Sequence, residues 1–243
     1  TYPFLFSLLL TLLLLVFPIL SGTIATILEL GELEGRLIQS LAFLLAALLG
    51  CVLGMRYFGS LESVGLRKPA GFISKDLLWF TPLLYIEVLP LFFGLKQGLT
   101  FTSLAIYLVF TLLVGFTEEL YFRGLIWNIL NRKSMISALF LSSLLFSLGH
   151  FVNLLAGASF MDTMLQVIFA FIFGVVAVEI SFATKSLLIP IVWHTVHNFI
   201  SLITVPNQGK LSLSVALLQG KVLFLYGAYL YFTSYRQTEE KKI

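Results

Sequence analysis

Uncharged runs of apolar residues recur along the chain, and each is long enough to cross a lipid bilayer as a helix. Residues 1–28, 37–55, 99–117 and 134–161 contain no Asp, Glu, Lys or Arg. A transmembrane helix needs about 20 predominantly apolar residues. The pattern therefore predicts an all-α fold, a polytopic transmembrane bundle of about eight spans. We place the spans at residues 4–28, 37–56, 77–95, 99–128, 134–154, 163–182, 186–204 and 212–235.

The composition excludes the soluble classes of protein. The 243 residues are 59% hydrophobic and only 11% charged, whereas about 25% of a typical soluble domain is charged. Intrinsic disorder is excluded because it requires low hydrophobicity and high charge. The net charge of +3 is what basic loops give a membrane protein, so we expect no nucleic-acid partner. The single cysteine, Cys51, excludes an intramolecular disulfide and a cysteine-based metal cluster.

The distribution of Lys and Arg predicts the orientation in the membrane, because cytoplasmic loops are enriched in these residues. With both termini in the cytoplasm, ten basic residues fall inside and four outside, the intramembrane Arg123 set aside. The loops are too short for a separate soluble domain, so residues 1–243 form one membrane domain, which we expect in the bacterial inner membrane. The inner group is Arg56, Arg67, Lys68, Lys75, Arg132, Lys133, Lys185, Arg236, Lys241 and Lys242, and the outer group is Arg36, Lys96, Lys210 and Lys221.

Ionisable side chains lie inside the predicted spans, although each costs about 2.5–3.5 kcal/mol on insertion scales. Such residues mark a functional site by default. The sequence assigns no role to Glu87, Glu179 or Lys221. The intramembrane set is Glu87, Glu118, Glu119, Arg123, Glu179 and all three histidines of the chain, His150, His194 and His197.

The two adjacent glutamates of the fourth span have different surroundings on their own helix. At about 100° per residue, Glu119 and Arg123 lie about 40° apart, whereas Glu118 points about 140° away from Arg123. Glu119 therefore has a local cation, and Glu118 must find its partner on another helix. A buried carboxylate without a cation can serve as a general base or acid. The alternative is that both glutamates form a structural cluster around Arg123.

Histidines on two later spans share helix faces with a ring or an amide. Phe146 and His150 are separated by one turn in the fifth span. His194 and Asn198 are separated by one turn in the seventh span, with His197 close to both. Imidazole and carboxamide groups on consecutive turns can donate to one oxygen, as an oxyanion site requires. Packing and polar contacts between helices remain the alternative for each motif.

Taken together, these motifs resemble the CPBP (Abi) family of intramembrane proteases, which includes CAAX prenyl proteases. The matching segments are Glu118-Glu119-Leu-Tyr-Phe-Arg123, Phe146-Ser-Leu-Gly-His150 and His194-Thr-Val-His-Asn198, within about residues 99–204.

The resemblance implies a four-helix catalytic core in spans four to seven, residues 99–204, and a glutamate-type peptidase with no metal or other cofactor. If the roles of the family's motif residues apply to the matching positions of this chain, Glu118 and His150 activate the attacking water, while His194 and Asn198 hold the oxyanion. Its substrate would be a membrane-embedded or membrane-tethered protein or peptide. Structural support is expected from Glu119, Arg123, Phe146 and His197.

Three alternative functions remain open from the sequence. Glu118, His150 and His194 could form a zinc site with two histidines and one glutamate, although the chain has no H-E-x-x-H motif. The same fold could be a catalytically silent scaffold or regulator that binds a partner helix. A transporter with buried acids as a proton relay is disfavoured, since no paired Gly/Pro-broken spans recur in two halves.

Overall fold

A computed structural model describes residues 2–70, 80–205 and 210–235, with the side chains of 210–212 and 234–235 excluded. Within these ranges the chain is helical, apart from loops and one isolated antiparallel bridge between Leu95 and Thr204. The predicted all-α fold class is confirmed. The eight helices of the described ranges are α1 (Pro3–Ile27), α2 (Glu32–Phe58), α3 (Thr81–Phe93), α4 (Phe101–Leu130), α5 (Met135–Leu154), α6 (Phe160–Thr184), α7 (Leu188–Ile203) and α8 (Lys210–Leu230).

Six of these helices are long and apolar enough to cross a membrane: α1, α2, α4, α5, α6 and the segment Leu213–Thr233, which includes most of α8. The third and seventh helices are shorter. The 16 residues of α7 extend for about 24 Å, less than the roughly 30 Å of the hydrocarbon core. The span predicted at 77–95 is helical only over Thr81–Phe93, and positions 77–79 lie outside the described residues.

Small polar residues and glycine set several helix boundaries. The Thr100 side chain accepts from the backbone N–H of Ser103 and begins α4 with a capping box. The hydroxyls of Ser134 and Ser159 each accept from the backbone N–H three residues further along and cap α5 and α6. Gly59 ends α2 with φ of 85°, a conformation that glycine adopts without strain.

The helix α4 packs between α2 and α7, while α5 packs on α6, α6 on α8, and α1 on α2. Gly115 permits the close contact of α4 with α7. A Cβ atom at this position would lie 3.2 Å from the backbone N of Thr195 and 3.3 Å from the backbone O of Ile191. Close backbone approach at small residues is how membrane helices pack. The α4–α7 contact is what places Glu118 and Glu119 beside the histidines of α7.

One segment in the second half of α4 is not an α-helix. Residues Leu120–Ile126 form a π-helix, and all seven are buried. The Tyr121 hydroxyl donates to the backbone O of Ala46 over 3.2 Å and anchors this segment on α2. Short π segments inside α-helices occur often at functional sites. The π-helix starts directly after Glu119. The angle of about 100° per residue, used in the sequence analysis to place side chains around an α-helix, therefore describes this helix only up to the two glutamates.

Basic residues lie at both ends of the bundle. Arg67 donates to the backbone O of Lys185 over 2.6 Å, and Arg132 lies over the ring of Phe58, where α2 ends. Lys96 lies 3.9 Å from Glu32, where α2 begins. Arg67 and Arg132 thus lie at one end of the bundle and Lys96 at the other, as the predicted inner and outer groups require. The cytoplasmic location of the termini stays a prediction. Outside the described residues lie Lys75, Arg236, Lys241, Lys242 and the side chain of Lys210.

Candidate active site

The ring of His194 lies between the two glutamates of α4. Its Nδ1 is 2.8 Å from Oε1 of Glu119, and its Nε2 is 3.6 Å from Oε2 of Glu118. The side chain of Glu119 is fully buried, whereas that of Glu118 is 19% exposed. Glu119 thus holds one nitrogen of the ring, and the other faces Glu118, the more accessible carboxylate.

Glu119 also forms a buried ion pair with Arg123. The guanidinium NH1 is 3.2 Å from Oε1 of Glu119, and the guanidinium carbon lies 4.3 Å from the centre of the Phe146 ring. None of the guanidinium nitrogens has a hydrogen-bond partner among the described residues. The Arg123 charge is therefore balanced by one carboxylate and one aromatic face, a cation–π contact that gains strength when desolvated.

All three histidines and Asn198 line one half-open cavity of about 70 Å³. A water molecule takes about 30 Å³ in the liquid, so the volume suits a small number of waters. The walls combine polar and aromatic groups from the end of α5, the first half of α6 and the middle of α7. Besides the histidines and Asn198, they comprise Phe146, Gln166, Phe169, Ala170 and Phe173.

The ring of Phe146 is the common neighbour of two histidines. Its centre lies 5.3 Å from that of His150 and 5.9 Å from that of His194, and both contacts are edge-on. Edge-to-face contacts fix the orientation of both rings. The Phe146-x-x-x-His150 motif thus positions His150 and, through the same ring, contacts His194 and Arg123.

The comparison with known families concerns this part of the chain. Residues 100–200 match the model of the type II CAAX prenyl endopeptidase Rce1-like family. The match confirms the resemblance to the CPBP (Abi) family. It covers less than half of the chain but includes every candidate residue named so far in this site. No curated protein matches the chain. Six helices long and apolar enough to cross a membrane indicate an integral membrane protein, and the family matched over residues 100–200 is a protease family.

A second histidine–carboxylate pair involves a residue outside the Rce1-like match. Glu87 of α3 lies 3.1 Å from Nδ1 of His197 through each of its two oxygens. The indole N–H of Trp193 donates to Oε1 of Glu87 over 2.9 Å. The sequence marks Glu87 only as an intramembrane acid. Its partners lie more than 100 residues away, so no local pattern identifies them.

The two intramembrane acids Glu118 and Glu179 have different surroundings in the structure. No hydrogen bond or ion pair joins Glu118 to His150 among the described residues, although His150 lines the same cavity as His194. Glu179 of α6 is 2% exposed and faces Gly227 of α8, away from the cavity walls. Glu179 therefore lies apart from the candidate site.

The zinc alternative requires Glu118, His150 and His194 to converge on one ion. Within residues 2–70, 80–205 and 210–235, no three His, Cys, Asp or Glu side chains are grouped as metal ligands would be. The nitrogens of His194 instead face the two glutamates. The arrangement of the described side chains thus does not fit a zinc site of two histidines and one glutamate.

Proposed function

We propose that the protein is an intramembrane endopeptidase in which Glu118 and His150 activate the attacking water. The observation that carries the proposal is the position of Glu118. Its carboxylate lies 3.6 Å from Nε2 of His194, and His194 lines a cavity whose walls also contain His150, His197 and Asn198. The Rce1-like match over these residues supports peptide-bond hydrolysis as the reaction.

The two glutamates have separate roles in this proposal. Glu119 is paired with Arg123 and with Nδ1 of His194, so its charge is already engaged and it orients the His194 ring. Among the described residues, the one ion pair of Glu118 is the 3.6 Å contact to His194, and the Glu118 side chain is 19% exposed. Glu118 is therefore the carboxylate free to take a proton from water as a general base.

The attacking water would lie between Glu118 and His150, which removes the need for direct contact between these two side chains. As the water oxygen attacks the carbonyl carbon, Glu118 takes one of its protons. The carbonyl oxygen becomes an oxyanion, which His194 and Asn198 would stabilise from consecutive turns of α7. Donors fixed before the reaction stabilise such a charge strongly in a site that excludes bulk water.

The location of the cavity restricts the substrate to peptides that can reach the interior of the helix bundle. Peptide groups do not face lipid unpaired, so the scissile segment must enter as an extended backbone between helices. A membrane-embedded or membrane-tethered protein meets this requirement. The Rce1-like family name includes prenyl substrates, which makes a prenylated cysteine a chemical feature to test.

Cleavage of quenched fluorescent peptides by the purified protein in lipid nanodiscs tests the proposal. The peptides form a sequence library in two matched sets, with and without a farnesyl group on a cysteine. We expect wild type to cleave members of at least one set and Glu118→Gln to cleave none. Glu179→Gln, the same change at a buried acid outside the cavity, should retain full activity.

Three outcomes would contradict the proposal. If wild type cleaves no peptide in either set, the scaffold or regulator alternative is favoured. If a strong chelator abolishes the activity, the zinc alternative returns. Equal cleavage by wild type and Glu118→Gln would remove Glu118 from the mechanism.

A further inference from the structure

The histidine between His194 and Asn198, His197, has its own carboxylate partner on a different helix. Both oxygens of Glu87 lie 3.1 Å from its Nδ1. Glu87 is 4% exposed, and Trp193 of α7 donates to the same carboxylate. The carboxylate is therefore held by two donors on α7, and the helix α3 is joined to the candidate site through His197.

The His197 ring is fixed on its faces as well as at Nδ1. It stacks on Phe169 with the ring centres 5.3 Å apart and an angle of 17°, and its centre lies 5.5 Å from that of Phe173. The side chain is 22% exposed and forms part of the cavity wall. Because Glu87 accepts from Nδ1, the neutral ring carries its proton there and Nε2 is the nitrogen left for the cavity.

The proposed hydrolysis still lacks a donor for the leaving amine. Breaking the C–N bond of the tetrahedral intermediate would expel an unstable amide anion unless the nitrogen receives a proton. In the proposed roles, Glu118 takes a proton from water, and His194 with Asn198 donate to the oxyanion. A carboxylate–imidazole pair is the arrangement that holds a histidine in the tautomer and orientation needed for proton transfer.

We propose that His197 donates the proton to the leaving amine and that Glu87 and Trp193 are positioning residues that act through it. This inference rests on the proposed function. Glu118 first passes the proton that it took from water, through cavity water, to the unprotonated Nε2 of the neutral His197 ring, which becomes an imidazolium. The intermediate then collapses: its C–N bond breaks, the carboxylic acid product forms, and the amine nitrogen takes the proton from Nε2 of His197. One water is consumed and both residues return to their starting states.

The surroundings of His197 separate this role from helix packing. The titratable groups that face it are Glu87 of α3, His194 of its own helix and His150 across the cavity. The helix α6 contributes Phe169, Phe173 and Gln166, which do not titrate. A contact that only joined α3 to α7 would not require the ring to line the cavity.

The geometry of the pair can be tested without a substrate. The chain has only three histidines, so ¹⁵N-histidine labelling gives the NMR signals of three rings. Replacing each histidine in turn assigns each signal to its residue. We expect His197 to carry its proton on Nδ1 with a low-field resonance that moves upfield in Glu87→Gln. Glu179→Gln should leave all three rings unchanged. If Nδ1 of His197 carries no proton, or if its proton resonance does not move in Glu87→Gln, the positioning role of Glu87 would be overturned.

The leaving-group role is tested with one cleaved peptide and its matched ester, in which a phenol replaces the leaving amine. A phenolate leaves without a proton, so His197→Gln should lower kcat on the amide by about 10²-fold or more and on the ester by less than about tenfold. Glu87→Gln should show the same selectivity to a smaller extent, and Glu179→Gln none. Thermal unfolding of each variant in the same detergent checks that the fold is retained.

Each result separates the two proposals. Equal losses of amide and ester turnover in His197→Gln, or no loss on the amide, would refute the leaving-group role. If Glu118→Gln is still inactive in that case, the proposed function stands. If Glu118→Gln cleaves as well as wild type, the proposed function fails, and the inference about His197 fails with it.

Discussion

Replacing Gly115 by alanine should separate α4 from α7 and disturb the candidate site without changing any of its polar residues. The new Cβ would lie 2.9 Å from Oγ1 of Thr195, 3.2 Å from its backbone N and 3.3 Å from the backbone O of Ile191. The Thr195 hydroxyl cannot simply rotate away, because it donates to that same carbonyl over 2.7 Å. Two of the three contacts are backbone atoms, so relief requires movement of a helix by a few tenths of an ångström.

The expected cost of Gly115→Ala follows from this overpacking. Extra methyl groups in a well-packed interior cost about 1–3 kcal/mol. The same shift would lengthen the 2.8 Å contact between Glu119 and His194 and the wider one to Glu118, and misplacing a catalytic group by about 1 Å can cost about 10²-fold in rate. We expect a lower midpoint of thermal unfolding in detergent and a loss of kcat of about tenfold or more.

Gly220→Ala is the matched control, because a Cβ at that helical position meets nothing within 4 Å. It should be neutral or raise the free energy of unfolding by up to about 1 kcal/mol, since alanine is the better helix former. The reasoning would be refuted if Gly115→Ala matched this control in both stability and turnover. Such a result would mean that α4 and α7 tolerate a wider spacing and that the close contact does not position the site.

Two predictions concern the reaction itself. Asn198→Ala should lower kcat by about 10²–10³, the usual loss for one oxyanion donor. The value of KM should change little, because the donor acts mainly in the transition state. Full turnover in this variant would show that Asn198 only packs helices. The rate should fall as the pH is lowered, because the base must be deprotonated to accept a proton from water. Asn198→Ala should retain this acid limb, measured with the same quenched peptide from pH 4 to pH 9 (about the practical range); a pH-independent rate would argue against a carboxylate base.

Much of the architecture follows from the sequence because hydrophobic runs and transmembrane helices have nearly the same length scale. The long helices appear close to where the uncharged runs predict them. The predicted spans 77–95 and 186–204 extend past the described ends of the two short helices, Phe93 and Ile203. Hydrophobicity alone does not define such an end.

The contacts within the site depend on tertiary geometry that spacing along one helix cannot supply. The ion pair between Glu119 and Arg123 is expected from their four-residue separation, although Arg123 lies in the π-helical segment, where the α-helical angles do not apply. That His194 touches both glutamates depends on the crossing of α4 and α7 at Gly115. The π-helix Leu120–Ile126 has no signature in the pattern of polar and apolar residues. Nor does any pattern link Glu87 to His197, because α3 and α7 are far apart in the chain.

The division of labour between Glu118 and Glu119 gives the last prediction. Glu119→Ala would leave Arg123, which is 2% exposed, with no carboxylate partner among the described residues and Nδ1 of His194 with no acceptor. Removing one partner of a buried ion pair costs about 3–5 kcal/mol. Glu118→Gln removes one 3.6 Å contact at a side chain that is 19% exposed. This contact is longer than a hydrogen bond, so we expect its loss to cost less than the loss of the 2.8 Å and 3.2 Å contacts of Glu119.

Unfolding of both variants in one detergent therefore separates a structural from a catalytic carboxylate. Glu119→Ala should unfold well below wild type, while Glu118→Gln should unfold near wild type and be inactive. Glu119→Gln is the informative intermediate: its amide oxygen can still accept from His194, but its lost charge leaves Arg123 uncompensated. We expect its stability to lie between those of Glu119→Ala and wild type. Equal destabilisation by Glu118→Gln and Glu119→Ala would mean that both carboxylates share the charge of Arg123, and Glu118 would then not be the free base that the mechanism requires.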